Sequence, residues 1–194
     1  EKEVKKHGGI ICANEVTTGL GRTGKWFGYN HYNIEPDIVA LGKSLGNGYP
    51  ISAVVMSNAI ADQLEAEKFI YVQSHQNDPL GCATANEVLN ILKEDNMVAR
   101  SKHIGEFFMN QLLEAQQTCS VIKDVRGRGL MLAVELNIQN ATEWIADNMF
   151  EKGCFIGIVP QSNIIRFSPA FTISKRDITA MCTDLKCLLR ELEV

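Results

Sequence analysis

Asn14 and Lys43 each stand just beyond a short apolar run, GGIICA and DIVALG, and those placements carry the first chemical inference. A lysine amine that has lost its proton attacks a carbonyl carbon to give a Schiff base, and burial is one way to favour the neutral amine. By residue type alone, a lysine before a glycine turn is an ordinary solvated charge. The runs around it supply the context. Both are short and contain β-branched residues, so both are predicted to be buried strands. In an open parallel sheet the ligand crevice lies outside the carboxyl ends of the strands, which would turn Asn14 and Lys43 toward one crevice.

A third run, ISAVVM, follows Lys43 after only SLGNGYP. Rejoining a sheet in parallel takes a crossover of roughly a dozen residues or more. The connection is too short for that, so the third strand is predicted to run antiparallel to the second. Lys43 then heads a tight glycine-rich turn from which a long side chain projects freely.

Residues 14–54 read NEVTTGLGRTGKWFGYNHYNIEPDIVALGKSLGNGYPISAV. Along its whole length this stretch resembles the signature of the class III (omega-amino acid type) aminotransferases, pyridoxal-phosphate enzymes of the fold-type I group. In that pattern an acidic residue ends the first strand, GxGRTG follows, and PDI…K…GYP carries the cofactor lysine. The resemblance implies that Lys43 forms the Schiff base with pyridoxal 5'-phosphate. Displaced by a substrate amine, it would then carry a proton between substrate and cofactor carbons. Asn14, Val16 and Thr17 are implied as cofactor neighbours. The implied fold is α/β: part of the fold-type I large domain with a mostly parallel sheet, followed by a small α+β C-terminal domain.

Two residues depart from the pattern. Asn14 stands where the family has an acid, and Thr17 where it has glutamine. A carboxylate at position 14 would keep a pyridine nitrogen protonated, whereas a neutral amide hydrogen-bonds an unprotonated one and leaves a poorer electron sink. Glu15 does not replace the acid, because alternation along a strand sends it to the other face and brings Val16 back to the side of Asn14.

The 194 residues carry a net charge of -4 with 45% hydrophobic content, which is globular and speaks against a nucleic-acid surface. The six cysteines show no CxxC pair and no zinc spacing. Cys12, Cys82 and Cys182 fall inside apolar patterns and are predicted to be buried thiols, as suits a reducing cytoplasm. His7, His31, His75 and His103 form no cluster with acids, so no metal is assigned. Lys25, Trp26 and Tyr29 are read as packing residues, with lining of a site entrance as the alternative.

The opening EKEVKKHGG reads as a charged helix end running straight into a strand, and the resemblance starts in mid-pattern. The chain is therefore expected to be a C-terminal piece, inactive by itself, that lacks the family's phosphate-cradling turn. SNAIADQLEAE is predicted helical. Ahead of DPLGCATA, the resemblance makes Ser74 the hydroxyl that reaches the cofactor phosphate of a partner subunit, which implies a homodimer. Helix capping accounts for Asp78 and Pro79 and leaves Ser74 free. Two helices, from Pro79 to Asp95 and from Val98 to Gln117, carry apolar residues at helical spacing.

Residues 1–117 are expected to belong to the large domain and 118–194 to the small one. The small domain is read as two strands joined at Arg126–Gly129, a helix closed by Gly153, strands CFIGIV and NIIRFSP, and a last helix capped by Ser174. Arg126 and Arg128 are read as structural residues of a tight turn. Arg166 ends a strand where the family binds the substrate carboxylate; pairing with a structural acid is the other reading.

The function implied is transfer of an amino group from an amino acid or omega-amine to a keto acid. Two alternatives stay open: another reaction on the same cofactor (lyase, decarboxylase or aminomutase), and a catalytically silent fragment or dimerisation module.

Overall fold

The computed structural model describes residues 1–159 and 161–193 and divides into two compact units, Glu1–Val98 and Ala99–Val194. The division falls earlier than the 117/118 boundary expected from sequence.

In the first unit a short helix α1 (Lys2–Lys6) precedes strands β1 (Cys12–Asn14), β2 (Ile38–Leu41) and β3 (Ala53–Met56). β1 pairs parallel to β2, and β3 pairs antiparallel to β2 with Val39 opposite Val55. The short Gly-rich connection has the predicted consequence. β1 is not the buried strand expected: Cys12 and Asn14 are exposed, because β1 is an edge of this three-stranded sheet. Val39 and Leu41 on the central strand are buried.

Helix α2 (Asn58–Ala66) starts at Ser57, whose hydroxyl accepts from the Ile60 N–H. Helix α3 (Pro79–Glu94) has Asp78 as N-cap, accepting from the Leu80 N–H, with Pro79 in the first turn. Both satisfy donors that a helix start leaves unpaired. α3 turns Gly81, Ala85 and Leu92 inward and leaves Cys82 exposed. Of the three cysteines predicted to be buried only Cys182 is; Cys119 is buried as well, and no cysteine is paired.

The second unit is an antiparallel sheet in the order β4-β5-β7-β6, comprising β4 (Ile122–Arg128), β5 (Met131–Leu136), β6 (Gly157–Ile158) and β7 (Ile164–Phe167). Its helices are α4 (Met97–Thr118), α5 (Ala141–Glu151) and α6 (Lys175–Glu191). α4 presents Ile104, Phe108, Leu112 and Ala115 at helical spacing to the core formed by Leu132, Val134, Ile165, Phe167, Ile178 and Leu185. This shared core is why α4 belongs with the C-terminal unit and not with the residues before it. Phe108 meets Phe167 edge to face at 5.2 Å, and burying each such side chain stabilises by about 1.5–3 kcal/mol. Arg100, near the start of α4, donates to the carbonyls of Phe171 and Ile173 and so fixes the loop after β7.

The turn between β4 and β5 falls after Arg128, not at 126–129. Arg126 is a strand residue, and its guanidinium bonds Asp124 and Glu135 at 2.7 Å each. As expected, Ser174 caps α6 and Gly153, at φ +80°, closes α5.

Gly105 touches this turn. A Cβ there would stand 2.1 Å from the Gly129 carbonyl oxygen. Alanine in a helix interior ordinarily gains about 1 kcal/mol over glycine, but overpacking costs about 1–3 kcal/mol. The overlap is with backbone, so the cost wins. Gly105→Ala is expected to lower the urea midpoint with an unchanged slope; a raised midpoint would contradict this packing.

Candidate active site

Lys43 opens a 3-10 turn, Lys43–Leu45, one residue after β2 ends. Its φ of +45° lies in the left-handed region that a side chain with a Cβ rarely occupies, and such strain persists where surrounding structure imposes it. The turn is closed tightly enough that a Cβ on Gly46 would overlap the Tyr49 carbonyl oxygen at 1.9 Å. α3 packs against this turn, with Gly81 close to the Tyr49 and Ile51 side chains.

Thr17 is the partner of the lysine. Lys43 Nζ donates to Thr17 Oγ1 at 2.6 Å, and among the described residues Lys43 makes no ion pair. Val16 lies alongside: a Cβ on Gly42, directly before Lys43, would touch the Val16 methyl at 3.4 Å. Asn14 ends β1 opposite Ala40 of the neighbouring parallel strand. Its Oδ1 accepts from the Val16 N–H at 3.2 Å, which leaves the amide N–H donors of Asn14 without a partner among the described residues. Asn14, Val16, Thr17 and Lys43 are thus gathered at the carboxyl ends of the β1–β2 pair.

Glu15 points the other way, as alternation predicts, but sequence reasoning missed its task. It is 5% exposed, and its carboxylate accepts from Thr18 Oγ1 (2.7 Å), the Gly28 N–H (2.8 Å) and the Tyr29 N–H (2.9 Å). One carboxylate therefore pins the long loop between β1 and β2 to the strand that carries Asn14. Burial, followed by the Glu15 charge, pushes the Tyr29 phenol above its ordinary range, and burial pushes the Arg22 guanidinium down. Tyr29 also stacks on Phe27 at 5.2 Å, which fits its packing role; Lys25 and Trp26 are exposed.

Ser74 is exposed in the turn ahead of α3, and among the described residues no hydrogen bond joins it to Lys43. Beside it, residues 69–72 form an exposed apolar run in which Ile70 is 81% and Val72 80% exposed.

Arg166 belongs to the second unit. Arg126, Ala133 and Arg166 face one another in register across β4, β5 and β7, with Gly157 beyond, so both arginines stand on the sheet face away from the core. Arg126 is taken up by Asp124 and Glu135. Arg166 is exposed and, among the described residues, meets no acid. Small neighbours, Ala133 and Gly157, leave the space around it open. Among the described residues no group of three or more His, Cys, Asp or Glu side chains is placed to hold a metal ion.

The profile of the class-III aminotransferases matches residues 2–189. The chain belongs to that family. It is 36% identical over 183 residues to the acetylornithine aminotransferase of Caldanaerobacter subterraneus subsp. tengcongensis, covering 94% of this chain and 45% of that protein. The structure of an S-selective transaminase from Arthrobacter sp. superposes with a TM-score of 0.93 at 31% identity, over 99% of this chain and 46% of the other. An amine transaminase from an uncultivated Pseudomonas species, solved in its PLP-bound form, gives a TM-score of 0.90 at 26% identity, covering 98% and 46%. This class-III aminotransferase chain therefore has the fold-type I transaminase architecture, and it spans about half the length of the curated relatives it matches. Within it, the sheet of the first unit contains one parallel and one antiparallel pairing. No helix among the described residues is long and apolar enough to cross a membrane.

Proposed function

We propose that this chain is the lysine-bearing half of a pyridoxal-phosphate transaminase that moves an amino group from an amino acid or omega-amine to a keto acid through a Schiff base on Lys43. The observation that carries this reading is an amine that has no carboxylate partner among the described residues and is held by a hydroxyl at the carboxyl ends of a parallel strand pair. The donor set fits the cofactor: Lys43 offers the amine, Val16 an apolar wall and Asn14 free amide N–H groups. Bound pyridoxal phosphate supplies an aldehyde that condenses with an amine and a ring that draws off electrons. Lys43, once released by the incoming substrate, holds and returns the proton at Nζ. Thr17 keeps that nitrogen near the strand ends. Production of keto acid from an amine donor, by the complete polypeptide with the cofactor added, tests the reading.

Asn14 favours a second reading. A neutral amide leaves the pyridine ring a poorer electron sink than an acid at this position would, and another reaction on the same cofactor (lyase, decarboxylase or aminomutase) is that second reading. Product analysis separates the two: keto acid from the donor supports transamination, and its absence alongside consumption of the donor supports the alternative.

For the second unit, Arg166 is assigned a substrate carboxylate, gripped through two parallel N–H bonds. Arg166→Ala is expected to raise KM for a carboxylate substrate about ten- to a hundredfold, in line with the worth of a hydrogen bond to a charged group. Arg166→Lys should recover only part of this, since an ammonium lacks the fork. An unchanged KM in both would remove Arg166 from substrate binding.

The complete protein is proposed to be a homodimer in which Ser74 serves the neighbouring subunit's cofactor phosphate. The exposed apolar run at 69–72 beside it supports a partner there. The six unpaired cysteines support a cytoplasmic location.

A further inference from the structure

We infer that Thr17 is the positioning residue of the Lys43 amine: its hydroxyl accepts one N–H of Nζ and so fixes where the nitrogen lone pair points whenever the lysine is free. The inference rests on the reading of Lys43 as the Schiff-base lysine. It starts from the 2.6 Å contact between Nζ and Thr17 Oγ1, the one polar partner the lysine has among the described residues.

Three features make this contact more than a chance surface bond. Lys43 lies at the end of a four-carbon stem whose ordering costs up to about 2 kcal/mol, so an exposed lysine ordinarily samples many rotamers. Here the left-handed backbone at Lys43, φ +45°, sets the direction in which the stem leaves the turn. Val16, packed over Gly42, places the residue next to it, Thr17, at the side of the lysine. The acceptor is also of the right kind. A carboxylate at this point would favour the ammonium form, and an ammonium has no lone pair to give. A hydroxyl orients the nitrogen without adding a counter-charge. A neutral amine has two N–H groups and one lone pair, so donating one N–H to Thr17 narrows the directions left for the lone pair.

The test compares wild type, Thr17→Val and Thr17→Ser in the complete polypeptide. Valine has nearly the same shape and no acceptor; serine keeps the acceptor. Thr17 is exposed, so both variants should unfold at the same urea concentration as wild type. Two readouts are taken. In cofactor-free protein, Lys43 is labelled competitively with acetic anhydride across pH 6 to 10 and followed by peptide mass spectrometry, with the other lysines as internal references. In a separate reaction, the rate of coupling to added pyridoxal phosphate is followed by absorbance.

Thr17→Val is expected to change the reactivity of Lys43 toward the label, alone among the lysines, and to slow coupling about tenfold, the upper range for loss of one hydrogen bond. Thr17→Ser should stay within about twofold of wild type. If valine behaves as wild type, or serine as valine, the inference is overturned. Failure of the underlying reading looks different: wild-type protein would then couple no pyridoxal phosphate at Lys43, while the labelling comparison would still report on the Thr17 contact.

Discussion

Replacing Lys43 by alanine in the complete polypeptide is expected to lower the rate of amino-group transfer by about 10²–10⁴-fold or more, the range for losing a positioned proton carrier, before the covalent role is counted. KM for the amine donor should move far less, because Lys43 is assigned to proton movement and cofactor attachment and not to substrate binding. Stability is expected to respond in the opposite sense. Lys43 is exposed and sits at φ +45°, a conformation that costs a residue with a Cβ about 1–3 kcal/mol and a glycine little. Lys43→Gly should therefore lose activity as fully as Lys43→Ala while unfolding at higher urea. Activity lost and stability gained at one position is the signature of strain retained for function. Parallel loss of both would mean that Lys43 is a structural residue.

The second large effect lies at Glu15. Truncation to alanine leaves the Thr18 hydroxyl and the N–H groups of Gly28 and Tyr29 without their acceptor, in a place only 5% open to water. Each stranded donor costs about 1–3 kcal/mol, less where water enters the space left behind. A loss of about 3 kcal/mol or more is expected, read as a lower urea midpoint. Glu15→Gln should fall between, since one amide oxygen replaces two carboxylate oxygens and the amide nitrogen faces donors. Lys43 labelling should also become less selective in Glu15→Ala, because the strand end carrying Asn14 and Thr17 loses its anchor. A loss below about 1 kcal/mol would mean that water or a rearranged loop satisfies these donors.

What was legible in the sequence was mostly local. Asp78 with Pro79, Ser174 and Gly153 mark helix ends through bonds made within a few residues, and each stands where the sequence put it. The antiparallel β3 was equally visible, because the eight residues between the two apolar runs are too few for a parallel crossover. Non-local facts were hidden. Alternation told which way Glu15 points but not that Gly28 and Tyr29 wait there, since their donors come from a loop 13 and 14 residues on. The apolar pattern around Cys12 and Cys82 suggested burial. Burial also needs something packed on that side, and neither the edge strand β1 nor the outer face of α3 has it. α4 looked like a way out of the first domain until its apolar stripe met the sheet of the second.

At the candidate site, residue types and strand ends located Lys43 and Asn14, and the family pattern added Thr17 and gave all three their implied roles. Their joining into one cluster is visible only in the structure, through the Lys43–Thr17 bond and the Val16 contact with Gly42. Arg166 was singled out by its place near a strand end together with the family pattern. That Asp124 and Glu135 go to Arg126 and not to Arg166 depends on register across three strands, which no local pattern reveals.

The most direct measurement is chemical. The complete polypeptide is incubated with pyridoxal phosphate, reduced with borohydride, digested, and its peptides mapped by mass spectrometry. The pyridoxyl group is expected on the peptide bearing Lys43 and to be absent from Lys43→Ala. A stoichiometric adduct on any other lysine, with Lys43 unmodified, would contradict the assignment.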